Sequence, residues 1–196
     1  MAVTVVATAG ATNANSYLTL AEAVTYFESR LPVAAWDAAT TDTKNRLIVM
    51  ATRVMNAMAR PLVTYYPASN GRGAYYVTSS EWTGTPATTT QRLAWPRIGM
   101  YDANGNAISE LVIPGDLKDA TAELAGSLGT SDTTLDNDVI VQGITSIKAG
   151  SVALSYKDMI EKHVIPDFVY SMMPASWFTD EIITMEQSAL FDVVSE

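Results

Sequence analysis

Apolar side chains recur at helical spacing in three segments of this chain. In the first, Thr19 and Glu22 form the capping-box pattern and predict a helix over the next two to three turns. A second apolar stripe predicts a helix over residues 41–60. The third helix is predicted to open at Pro114, because proline is favoured as a first helical residue, and to end at Gly129.

Strand and turn signals lie between and after these helices. The long loop 62–89 carries Asn70-Gly71 between two tyrosine pairs, which predicts a protruding hairpin. Short helices are predicted near residues 88–93 and within 159–174. Alternating apolar and small residues predict a small β element over 139–158.

These patterns predict a mainly α fold, a helical bundle with a small β-hairpin element and an extended C-terminal arm. Residues 1–16 are interpreted as an extended N-terminal segment and 17–174 as the helical domain. That domain includes the loop insertion 62–89 and the β element 139–158, and residues 175–196 form the arm.

One corner carries the most distinctive local pattern. Within Gln91–Arg97 the sequence reads Leu-Ala-Trp-Pro-Arg, and Pro96 both lacks a backbone donor and pushes Trp95 out of the helical region. The large indole is therefore predicted to lie at a corner. Trp95, Pro96, Arg97 and the later Pro114 are interpreted as structural hallmarks of the fold.

Composition and charge restrict the possible functions. Hydrophobic residues make up 48% and charged residues only 17% of the 196 residues, below the roughly 25% charged residues usual for soluble domains. Such a chain often hides part of its surface in an oligomer, but composition alone leaves monomer and oligomer equally open. The formal net charge is −9, with 12 basic and 21 acidic residues. Because DNA-binding proteins neutralise phosphates with Lys and Arg, and the basic residues here are scattered, tight DNA binding is not expected.

The residues needed for catalysis are mostly absent. The chain has no cysteine, which fits a reducing cytosol, and a single histidine, His163, interpreted as a surface or packing residue. No phosphate-cradling glycine loop and no apolar run of about 18 residues occurs, so neither a nucleotide nor a membrane is expected as a partner. The turn Asp102–Asn106 lacks the glycine and glutamate positions of a calcium loop and is interpreted as a hairpin turn. We expect no enzyme activity, no cofactor and no metal.

Four blocks, taken in order, resemble a family of tailed-bacteriophage head–tail connector or adaptor proteins. Members of that family also carry the name DnaT-like single-stranded-DNA-binding protein. The resemblance covers most of residues 13–128. The first two blocks are Asn13–Ala23 with Tyr26-Phe27, and Ala35-Trp36 with the 41–60 helix. The other two are Gln91–Arg97 with Tyr101-Asp102 and Gly105, and Ile113–Ala120 with Glu123–Ala125.

The resemblance implies a structural virion protein in the virion neck, made in the bacterial host cytoplasm. It implies a homo-oligomeric ring, commonly of twelve subunits, that binds the portal protein on one side and a tail or nozzle component on the other. DNA would pass through the acidic lumen without tight binding. The C-terminal arm would supply candidate portal contacts, and the long loop candidate tail-side or inter-subunit contacts. These candidates are Trp177, Phe178, Ile182, Ile183, Leu190 and Phe191 in the arm, and Tyr65, Tyr66, Tyr75 and Tyr76 in the loop.

Several alternatives stay open at this point. The arm could fold back on its own domain, and the loop tyrosines could pack locally. The second functional interpretation is a single-stranded-DNA-binding replication accessory protein, as the DnaT-like name suggests. A third, a hydrolase, would require His163 or a pair of carboxylates to be essential.

Overall fold

The structure is a computed structural model that describes residues 2–57, 63–66, 75–132, 134, 146–149, 152–155 and 165–184. Five α-helices occur within these residues. They are α1 (Leu20–Glu28), α2 (Ala34–Asp37), α3 (Thr41–Ala57), α4 (Gly115–Thr130) and α5 (Asp167–Ser171). A 3₁₀ turn, Ala175–Trp177, follows α5.

The strands form three small antiparallel sheets. A three-stranded sheet has the order β1 (Val63–Tyr66), β2 (Tyr75–Trp82) and β7 (Phe178–Thr184), with β2 in the centre. Two further pairs join β3 (Thr85–Pro86) to β4 (Arg97–Ile98) and β5 (Ser146–Ala149) to β6 (Val152–Ser155). The described chain is therefore mainly helical with small antiparallel β elements. It includes β1 and β2, which lie on either side of Asn70-Gly71 as predicted, and β5 and β6, which lie within the predicted β element 139–158.

The capping box predicted for α1 is confirmed. The Thr19 hydroxyl accepts a hydrogen bond from the Glu22 amide at 3.2 Å, and the Glu22 carboxylate accepts one from the Thr19 amide at 2.7 Å. Burial alone would raise the pKa of Glu22, but hydrogen bonds from Lys118 and Thr19 outweigh it and hold that pKa below its usual value. The Glu22 carboxylate thus caps the start of α1 and also links α1 to Lys118 of α4.

Helix α4 is the centre of the core, and α1, α2, α3 and α5 all contact it. Its first residue is Gly115, with Pro114 as the capping residue just before it. Most of its side chains are buried, including Leu117, Leu124 and the carboxylate-bearing Glu123. A helix buried nearly all round is expected at the middle of a domain.

The corner before β4 contains no helix, so the short helix predicted near residues 88–93 is wrong. The Gln91 side chain supplies the reason. Its oxygen accepts from the Thr88 amide at 2.9 Å, and its amide donates to the carbonyls of Leu93 and Pro96 at 2.8 and 3.0 Å. Side-chain hydrogen bonds of this kind offer the backbone an alternative to helix. Trp95 is buried at the corner, as predicted.

The predicted turn at Asp102 is confirmed as a hairpin turn. An isolated bridge joins Tyr101 to Ala107, and the Asp102 carboxylate accepts from the amides of Asn104 and Asn106 at 2.9 and 2.8 Å. Hydrogen bonds from the side chain and backbone of Asn106 hold the pKa of Asp102 below its usual value. The carboxylate is occupied by its own turn.

The described part of the predicted arm is packed on the domain. Trp177 is fully buried, its ring centroid lies 4.8 Å from that of Trp95, and its indole nitrogen donates to the Tyr101 carbonyl at 2.7 Å. Phe178 contacts Trp82 with ring centroids 5.0 Å apart. Residues 178–184 then pair with β2. Up to Thr184 the segment is a core turn and a sheet strand rather than an extended arm, and residues 185–196 lie outside the described residues.

Candidate nucleic-acid interface

The charged residues of this chain are segregated along its length. Residues 43–101 contain seven of the twelve basic residues and a single acidic one, Glu81, which gives this segment a formal charge of +6. The remainder carries five basic and twenty acidic residues, a formal charge of −15. We call residues 43–101 the basic segment. Strong charge asymmetry between parts of a chain is typical of proteins that contact nucleic acid.

Helix α3 presents part of this positive charge on its exposed face. Arg46 and Arg53 are seven residues apart, two helical turns, so they lie on one stripe about 10 Å apart along the axis. Both are exposed, and the opposite face of α3 packs in the core. Arg46 forms an ion pair with Asp42 at 2.9 Å. Arg53 forms no ion pair with any carboxylate in the described part of the chain.

A third arginine, Arg92, lies in the corner that is bonded to α3. The Asn56 side-chain oxygen accepts from the Ala94 amide at 2.6 Å and from the Tyr17 hydroxyl at 3.0 Å. This contact docks the corner against the helix that carries Arg53. Arg92 is exposed and, among the described residues, has no carboxylate partner.

Basic residues outside the basic segment are used differently. Arg30 donates to the Glu123 carboxylate at 2.5 Å, and that carboxylate also accepts from the Tyr26 hydroxyl at 2.9 Å. Burial and the Glu123 charge raise the pKa of Tyr26 to about 12. Lys118 likewise donates to Glu22 at 2.5 Å. These cations hold α1 to α4 and are neutralised there.

The β1–β2 hairpin brings four tyrosines into register within the basic segment. Tyr65 pairs with Tyr76, and Tyr66 pairs with Tyr75. Directly paired positions share a face of a sheet, and neighbouring positions alternate between faces. The register therefore assigns one tyrosine pair to each face of the hairpin.

Tyr101, the last residue of the basic segment, has an exposed aromatic ring. Tyr101 is 53% exposed, while its carbonyl is held by the Trp177 indole and its backbone by the bridge to Ala107. Ile98 is exposed nearby along the chain. A ring that projects from a fixed backbone is suited to stacking on a flat partner at low entropic cost.

Exposed cations and exposed aromatic rings are the two components of a single-stranded nucleic-acid site. Cations attract the phosphates, and the rings stack on unpaired bases of any sequence. No group of three or more possible metal-ligating side chains occurs within the described ranges. No helix in them has the length and apolarity to cross a membrane. His163 lies outside the described residues, so the prediction that the chain is not an enzyme stays a prediction.

The comparison with known families agrees with this geometry. The chain matches the family described as "Putative DnaT-like ssDNA binding protein" over residues 1–67 and 70–179, and it belongs to that family. Neither the curated proteins nor the solved structures with which the chain was compared gave a match.

The family match corrects the main functional prediction. The prediction of a portal-to-tail connector ring is wrong on this finding, because the matched family is described by single-stranded-DNA binding. The partners predicted with it, a portal protein, a tail or nozzle component and DNA that passes without tight binding, are corrected for the same reason. The physical error was to treat the net charge of −9 as uniform, although the basic segment carries +6.

The sequence-predicted site residues are distributed over different environments. Of the arm candidates, Trp177 and Phe178 pack into the core cluster, Ile182 and Ile183 lie in β7 opposite Val77 and Tyr76, and Leu190 and Phe191 are outside the described residues. The four loop tyrosines occupy the β1–β2 hairpin. Trp95, Pro96 and Arg97 are buried at the corner, and Pro114 caps α4.

Three exposed residues of the interface were missed at the sequence level. They are Arg53, Arg92 and Tyr101. A count of charges by segment would have found the two arginines, since both lie in a stretch of 59 residues with one acidic residue. Tyr101 had no comparable signal, because its exposure depends on where Trp177 packs.

Proposed function

We propose that this protein binds single-stranded DNA through the basic segment, as a replication accessory protein of the DnaT-like kind. The exposed arginines of α3 and the corner contact the phosphates. Tyr101 and the tyrosines of the β1–β2 hairpin stack on the bases. The observation that carries the proposal is the formal charge of +6 on residues 43–101, within a chain whose remainder carries −15.

Screening explains why a chain of net charge −9 can bind a polyanion. At physiological ionic strength the Debye length is about 8 Å, so exposed charges farther apart than this interact weakly. A phosphate near Arg53 and Arg92 therefore responds to the local cations rather than to the acidic residues elsewhere. Several of those acids, such as Glu123 and Glu22, are also paired with cations of their own.

The proposal is tested by fluorescence anisotropy with a labelled 20-nucleotide oligo(dT) over a series of salt concentrations. Binding to single strands weakens with salt with a logarithmic slope of about −0.7 per phosphate neutralised. Six basic residues of the segment remain if Arg97, which is buried, is set aside. The slope should therefore reach about −4 at most. Failure to bind oligo(dT) even at low salt would overturn the proposal.

Removing positive charges one surface at a time identifies the surface that binds the DNA. The double variant Arg53→Gln/Arg92→Gln should flatten the slope by about 1.4, because two phosphate contacts are lost. Lys148→Gln/Lys157→Gln removes two positive charges outside the basic segment and is the matched control. It should leave both slope and affinity unchanged. Equal losses in both variants would mean that net charge, not this surface, controls binding.

Ring chemistry tests the stacking role. Tyr101→Phe keeps the aromatic face and should bind like the wild type, whereas Tyr101→Ala should weaken oligo(dT) binding by roughly 1–3 kcal/mol. Neither variant should alter the salt slope, since no charge changes. Equal affinity of the two variants would remove Tyr101 from the site.

A further inference from the structure

One buried guanidinium joins the two parts of the proposed interface. Arg97 is only 7% exposed. Its Nε donates to the Thr83 carbonyl at 2.7 Å, Nη1 to the Ala94 carbonyl at 3.1 Å, and Nη2 to the carbonyls of Trp82 and Gly84 at 3.2 and 2.8 Å. Every nitrogen of the fork thus donates to backbone, and the four acceptors come from two separate stretches of chain.

Those two stretches lead to different parts of the interface. Trp82 is the last residue of β2, so the carbonyls of residues 82–84 form the root of the hairpin that carries the paired tyrosines. Ala94 belongs to the corner, and its amide is bonded to Asn56 of α3, the helix that carries Arg53. Arg97 therefore joins the root of the hairpin to the corner, which is itself bonded to the arginine-bearing helix.

The backbone at the hairpin root has little freedom to move. Gly84 has φ +67°, and a Cβ at this position would lie 2.3 Å from the Ile98 carbonyl oxygen. The Thr83 amide also donates to the Trp177 carbonyl at 2.8 Å. With the carbonyls of the same residues held by Arg97, the root is fixed on both sides.

We infer that Arg97 is a positioning residue for DNA binding, which sets the angle of the tyrosine hairpin relative to the arginines of α3 and the corner. This inference rests on the proposed function. Arg97 itself contacts no phosphate, because its guanidinium is buried and its donors are directed at carbonyls. Lysine cannot replace it, since a single ammonium group lacks the planar fork that reaches both stretches of chain at once.

The test compares Arg97→Lys with Arg30→Lys, the same substitution at an arginine outside the basic segment. Oligo(dT) affinity is measured over the salt series used above. Arg97→Lys should lose about tenfold in affinity at every salt concentration with an unchanged slope, the size of one lost stacking contact. Arg30→Lys keeps the positive charge beside Glu123, lies outside the proposed interface and should bind like the wild type. Wild-type affinity in Arg97→Lys would overturn the inference.

Hydrogen exchange separates positioning from a general loss of stability. In Arg97→Lys the amides of residues 76–84 should exchange faster, while those of α3 and α4 keep their protection. Uniformly faster exchange would show that Arg97 only stabilises the fold, and would also overturn the inference.

If Arg97→Lys fails to fold, the wild-type protein still decides the question. In nitrogen-15 NMR spectra the Arg97 Nε–H should exchange slowly and stay unshifted when oligo(dT) is added, whereas the Arg53 Nε–H should shift. A shift at Arg97 equal to that at Arg53 would make it a phosphate contact and reject the positioning role. If the wild-type protein does not bind oligo(dT) at all, the proposed function itself is wrong. If the wild type binds and only the Arg97 predictions fail, the positioning role alone is wrong.

Discussion

Trp177 tests most directly whether the chain after α5 belongs to the core. The indole is fully buried, packs against Trp95 with ring centroids 4.8 Å apart and donates to the Tyr101 carbonyl. Replacing a buried tryptophan by alanine costs about 3–5 kcal/mol in unfolding free energy. The lost ring pair and the carbonyl left without its donor place Trp177→Ala in the upper half of that range. Since whole domains are stable by roughly 5–15 kcal/mol, the variant should be marginally folded.

Urea unfolding followed by circular dichroism measures this loss as a shift in midpoint at constant slope. Trp177→Phe keeps most of the apolar volume and loses the donor, so it should cost only about 1–2 kcal/mol. Phe168→Ala is the matched control, because that ring is 62% exposed and its removal should change stability by less than about 0.5 kcal/mol. If Trp177→Ala costs no more than Phe168→Ala, the core placement of Trp177 is refuted.

Two further predictions concern α4 and the N-terminal segment. A Cβ at Gly126 would lie 2.9 Å from Cζ of Phe27, so Gly126→Ala should lower the free energy of unfolding by about 1–3 kcal/mol through overpacking. Gly115→Ala has open space around its Cβ and should leave stability unchanged or slightly raise it in the same urea assay. Equal effects of the two variants would contradict the packing of α4 against Phe27. A hydrogen bond from the Val3 amide at 2.9 Å holds the pKa of Asp42 below its usual value of 3.8, so the stability it adds is present above pH 3.8 and lost as pH falls through the lower folded value. The protection factor of the Val3 amide, its exchange rate relative to an unstructured peptide at the same pH, should therefore fall on acidification in the wild type and be small at all pH values in Asp42→Ala. A large protection factor in that variant would contradict the assignment.

The elements that sequence predicted well are those fixed by neighbouring residues. The capping box of Thr19 and Glu22 and the proline before α4 act within one helical turn, so the pattern alone located both helix starts. The Asn70-Gly71 signal similarly predicted that β1 and β2 pair. Each of these features depends on contacts within about a dozen residues.

The C-terminal strand could not be predicted in the same way. Residues 178–184 pair with β2 about one hundred positions earlier, and their mixture of apolar and acidic side chains equally suits an exposed arm. The burial of Trp177 depends on a pocket between Trp95 and the core, which exists only after the corner has folded. The failed helix near residue 90 has a related cause, because the Gln91 side chain donates to the carbonyls of Leu93 and Pro96 and so holds the chain in the corner.

Charge shows most clearly why an average over the chain misleads. A net charge of −9 predicts repulsion of DNA, yet Arg30 and Lys118, two of the cations outside the basic segment, are bonded to carboxylates on α4 and α1. The cations of α3 and the corner include two, Arg53 and Arg92, that have no carboxylate partner among the described residues. Ion pairing thus removes positive charge where acids are dense and leaves it where they are absent. Because salt screening restricts each phosphate to interactions with nearby charges, the affinity for DNA should depend on the local excess of cations rather than on the net charge of the chain. Removing acids far from the basic segment should accordingly change affinity for oligo(dT) much less than removing Arg53.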